Sequence, residues 1–76
     1  MYNSYNIAEN IKTIAKNKKI IIKNMLKECN LGRNTLSHLY DGNMIAADSL
    51  AKIADYLDVS VDYLLGRTDK PDSHKY

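Results

Sequence analysis

Seventy-six residues, 45% of them apolar, with three Gly, one Pro and a single Cys, describe one small domain with a thin core, since a chain this short buries only about 60% of its unfolded surface. The scarcity of Gly and Pro disfavours the tight turns of an all-β fold, lone Cys29 excludes an internal disulfide, and no apolar run approaches the roughly 20 residues of a membrane span. The net charge of +2 is unevenly spread: residues 1–40 carry seven Lys or Arg against two Glu (+5), and residues 41–76 carry four against seven Asp (−3), so a basic half faces either a polyanion or plain solvent.

Apolar residues recur with helical spacing almost throughout. Ile7, Ile11, Ile14 and Ala15 predict a first helix over 5–16, capped by Asn3 or Ser4. Residues 17–20 form a basic connector. A second helix is expected over 22–29, with Met25, Leu26 and Cys29 inward; Asn30 suits the left-handed stop that follows, and Leu31 a buried hinge. A third helix is expected over 33–40 with Leu36 and Leu39 inward, closed by the turn Asp41-Gly42-Asn43. Leu50, Ile53, Ala54 and Leu57 line one face of a fourth helix over 47–57, and Ser60 caps a short fifth over 61–65 that Gly66 stops. Residues 1–66 thus make the domain, and 67–76 read as a polar, flexible tail.

The informative stretch is 21–39. Two short helices that cross steeply need a tight turn (Asn30), a small hinge core (Leu26, Leu31, Leu36) and an anchor for the second helix (Leu39), and all are present. The third helix then turns Arg33, Asn34, Ser37 and His38 outward, and each can hydrogen-bond a base edge. On these residues, on Asp41-Gly42-Asn43 and above all on the run SLAKIADYLDVSVDYLLGRT at 49–68, the chain resembles the phage-repressor or Xre-type (Cro-like) helix-turn-helix family over about residues 5–68.

The resemblance implies an all-α, compact five-helix, lambda-repressor-like domain that binds double-stranded DNA as a transcriptional regulator, a repressor in many members. Its third helix would enter the major groove, and two copies would read a near-palindromic operator as a homodimer. By position, Arg33, Asn34, Ser37 and His38 fall at base-contacting places. Gly32, Thr35, Tyr40, Asn43 and Met44 fall beside phosphates, with Lys19, Lys23 and the backbone amides around Ile22 at the start of helix two. Val59, Val61 and Tyr63 make the candidate dimer surface, or else simply close the core. Four places depart from the family pattern. Ile21 and Ile22 replace a polar cap and a phosphate-binding side chain; Gly32 opens the recognition helix; Ile45-Ala46 precedes helix four; and Leu26 and Asn30 stand where Ala and Gly are common.

Each residue also has a plainer reading: Arg33 and Asn34 as solvated surface, Thr35 as solvent-facing, Tyr40 as a partly buried aromatic, Cys29 as a small buried hydrophobe. The rival function is a protein-interaction module, such as an antitoxin or anti-repressor subunit; the polar, basic outer face of helix three argues for DNA instead. Cys29, His38 and His74 lack zinc spacing, and no phosphate-cradling glycine loop is present, so neither enzyme activity, metal, cofactor nor small-molecule ligand is expected. Residues 1–10 lack the apolar run of a signal peptide, so a cytoplasmic protein without a membrane partner is expected. The abundance of Ile, Asn, Lys and Tyr, residues of A/T-rich codons, points to a low-GC bacterial or phage coding sequence.

Overall fold

A computed structural model describes residues 3–67, and these form five helices: α1 Ser4–Asn17, α2 Ile22–Glu28, α3 Thr35–Tyr40, α4 Ala47–Leu57 and α5 Val61–Leu65. Four of the five match the spacing-based expectation to within a residue at each end. The exception is α3, which begins at Thr35 and not at Arg33. The cause is local: the Thr35 amide donates to the Gly32 carbonyl at 3.1 Å and the Thr35 hydroxyl donates to the same oxygen, so 32–35 close as a turn before the helix starts. The tail expected over 67–76 lies, apart from Arg67, outside the described residues.

One core joins every helix. Ile7, Ile11 and Ile14 of α1 meet Met25 and Leu26 of α2, Leu39 of α3, Ile53 and Leu57 of α4 and Leu64 of α5, with Val59 in the α4–α5 connection. The longest helix, α1, packs on α3 and α5, while α4 packs on α2 and α5. Val59 is only 2% exposed, so it belongs to the core and not to a dimer surface; the short α4–α5 link leaves its side chain nowhere else to go. Val61 and Tyr63 remain half-exposed beside it.

The helix ends fall into two groups. Every described helix stops through the same paired closure, in which a left-handed residue and its successor donate back into the last turn. The left-handed residues are Lys19, Asn30, Gly42, Asp58 and Gly66. The pairs include Ile20 N to Ala15 O at 2.7 Å, Leu31 N to Leu26 O at 2.8 Å and Asn43 N to His38 O at 2.8 Å. The N-termini are unequal. Asn3 Oδ1 accepts from the amides of Tyr5 and Asn6, and Ser60 Oγ accepts from Tyr63, but α2, α3 and α4 have no side-chain cap.

Candidate nucleic-acid interface

The turn from α2 into α3 is built from the backbone upward. Asn30 at φ 59° reverses the chain in a conformation that Asn tolerates better than most residues. Half-buried Leu31 and Leu36 then pack against the core, and Leu39, fully buried, pins α3 to it. With about 100° between successive residues of a helix, Ser37 lies nearly opposite Leu39, and His38 falls beside it on the outer half. Gly32, Arg33, Asn34, Ser37 and His38 are all exposed. Arg33 and Asn34 lie in the turn and not in the helix.

Further cations lie at the start of α2. Lys19 and Lys23 are exposed on either side of the α2 N-terminus, and among the described residues neither they nor Arg33 makes an ion pair, so their charge is uncommitted. The first amides of α2 have no acceptor within the helix and no side-chain cap, because Ile21 occupies the cap position. Ile22 is half-buried, so any contact there is through its backbone. The side chains of Ile21 and Met44 are 63% and 48% exposed beside these amides and at the entry to α4.

Three expected phosphate contacts take a different form. Thr35 is 8% exposed and its hydroxyl proton is held by the Gly32 carbonyl, so its side chain is a structural element of the turn. Tyr40 donates its hydroxyl to Glu9 Oε2 at 3.3 Å, and its ring stands edge-on to Tyr5, with centroids 5.1 Å apart at 76°. Burial, and after it the Glu9 carboxylate, push the Tyr40 phenol above its ordinary range, and a carboxylate beside the hydroxyl repels a phosphate. The Asn43 amide closes α3, which leaves only its exposed side chain to meet a ligand.

Sequence reasoning missed Glu9 and Tyr5 as partners of α3. Their spacing of four places both on one face of α1, but nothing in periodicity says that this face meets Tyr40. Cys29 keeps its plain reading: it is 8% exposed, its thiol donates to the Lys52 carbonyl at 3.5 Å, and burial raises its pKa. Among the described residues no three His, Cys, Asp or Glu side chains gather as a metal site, and no helix is long and apolar enough to cross a membrane.

The sequence of residues 10–70 matches the family model of the Cro/C1-type HTH DNA-binding domain. No curated protein and no solved structure matches the chain.

Proposed function

The chain belongs to the Cro/C1-type HTH DNA-binding domain family, and from that premise we propose that it is a sequence-specific transcriptional repressor that reads double-stranded DNA with the 32–38 surface. The observation that carries this reading is the shared exposure of Arg33 and Asn34 in the turn and of Ser37 and His38 on the helix that Leu39 pins to the core. Arg33 is suited to a guanine edge and Asn34 to adenine, while Ser37 and His38 complete the base contacts directly or through water. Lys19 and Lys23, the open amides from Ile22 onward, and the backbone at Gly32 and Met44 hold the phosphates on either side.

One recognition element reads only a few base pairs, so selectivity calls for two copies about 34 Å apart on a near-palindromic operator. Val61 and Tyr63, half-exposed at the start of α5, are the surface we assign to that homodimer. An interface that small closes fully only on DNA.

Selection of duplexes from a random pool tests the reading, followed by titration of the best site against salt. Three to five phosphates neutralised per copy give a slope of about −3 to −4.5 in log K against log salt. Failure to enrich any site, or a flat salt response, would return the chain to the protein-interaction reading. Sedimentation of the protein with the selected duplex then counts the copies bound.

A further inference from the structure

We propose that Tyr40 is a positioning residue for base readout: through Glu9 and Tyr5 it sets the rotation of α3 about its own axis, and so the sequence selectivity, without touching DNA. The inference rests on the reading of α3 and its leading turn as the recognition element.

A helix of six residues has no stable orientation of its own, because helices this short are held by packing. Thr35, Leu39 and half-buried Leu36 seat α3 on the core over an arc of about 100°, with Leu36 at its edge. Tyr40 follows Leu39 directly and so points about 100° away around the axis. There it makes two contacts with α1, the hydroxyl bond to Glu9 across 31 positions of chain and the edge-on ring contact with Tyr5. Tyr40 widens that arc by about 40° on the Leu36 side, and its hydroxyl bond and edge-on ring contact add a directional hold against roll. At a helix radius of about 5–6 Å, a roll of about 10° moves an outward side chain by about 1 Å. A displacement of about 1 Å spoils a hydrogen bond to a base edge, while a flexible lysine follows a phosphate across it. The chemistry of the tie argues against a direct DNA contact: the hydroxyl proton is committed to Glu9, and the carboxylate repels phosphate. The tie is also adjustable, since Tyr5 is 49% exposed and Glu9 is half-buried, so the contact lies at the rim of the core and not within it.

The test uses the full chain, with the duplex selected from the random pool and a scrambled duplex of equal length as probes. Tyr40→Phe keeps the ring and removes the hydroxyl, Glu9→Leu removes the acceptor, and Glu9→Gln restores one through its amide oxygen. Affinities are measured at a temperature where the circular dichroism of every variant matches that of the native chain. Tyr40→Phe and Glu9→Leu are expected to weaken binding to the selected duplex by about fivefold or more, the weight of one hydrogen bond. Binding to the scrambled duplex and the salt slope should stay unchanged, and Glu9→Gln should recover most of the loss. A purely stabilising role would lower the melting temperature and leave the ratio of the two affinities alone, which would overturn the proposal. An equal loss on both duplexes with a salt slope smaller by about one would also overturn it, by making the hydroxyl a phosphate contact. If the native chain itself fails to prefer the selected duplex, the DNA reading fails and the proposal falls with it; if the native chain prefers it and the variants keep the same preference, the proposal fails alone.

Discussion

The missing cap of α2 offers the sharpest test of the local energetics. Ile21 already has the extended backbone of a capping residue, at φ −83° and ψ 119°, close to Asn3 at −108° and 116°, which does cap α1. What it lacks is an acceptor. A serine at this position has its oxygen within reach of the second and third amides of α2, as Ser60 reaches Tyr63 in α5 at 3.0 Å. Because Ile21 is 63% exposed, its replacement loses little buried area, and Ile21→Ala measures that loss alone. The difference between Ile21→Ser and Ile21→Ala is therefore the cap itself, about 1 kcal/mol within a range of about 0.5–2. For a domain of this size that is a melting temperature about 4–8 °C higher for the serine variant. Thermal and urea unfolding followed by circular dichroism read it directly. If the two variants melt together, the amides of α2 already have partners and the open N-terminus is not real.

Other outcomes follow from the same geometry. Arg33→Ala should cost about 1–3 kcal/mol on the selected duplex and relax the preference at one base position per half-site; equal losses on selected and scrambled duplexes would make Arg33 a phosphate contact. Lys19→Gly should move stability and affinity in opposite directions. A lysine at φ 58° costs about 1 kcal/mol that glycine avoids, so the urea midpoint rises, while the lost cation lowers the salt slope by about one. The raised Tyr40 phenol favours the folded state below its ordinary value near 10, and that contribution is lost as pH climbs through the folded value. The urea midpoint of the native chain should therefore fall on the alkaline side of pH 10 more steeply than that of Tyr40→Phe.

The sequence revealed most of what is periodic and less of what is contingent. Leu50, Ile53, Ala54 and Leu57 placed α4 to the residue, and Asn30 announced its left-handed turn, because each effect acts within one or two turns of chain. The start of α3 was misjudged at Arg33 because no propensity rule weighs the double acceptance by the Gly32 carbonyl that holds 32–35 as a turn. Val59 stayed open between a dimer surface and the core for a related reason: a valine between two polar residues looks the same whether the link turns it inward, as it does, or outward. At the interface, Arg33, Asn34, Ser37 and His38 were legible as an outward polar face. Tyr40 was not, since its partners lie more than thirty residues away on α1.

The shared closure of the five helices bears on how the chain finds its fold. Each stop is made by bonds between residues no more than five apart, so the place where each helix ends is written locally even though packing holds the helix itself. Reversals at Lys19, Asn30, Gly42, Asp58 and Gly66 then constrain the outgoing chain locally, and the search narrows to helices that form as they pack. Helical domains dominated by such short-range closures fold in about microseconds to milliseconds. For a chain of this length, that speed limits the time in which Ile7, Ile11 and Leu39 stand exposed together, and with it the opportunity for one copy to stick to another before the core closes.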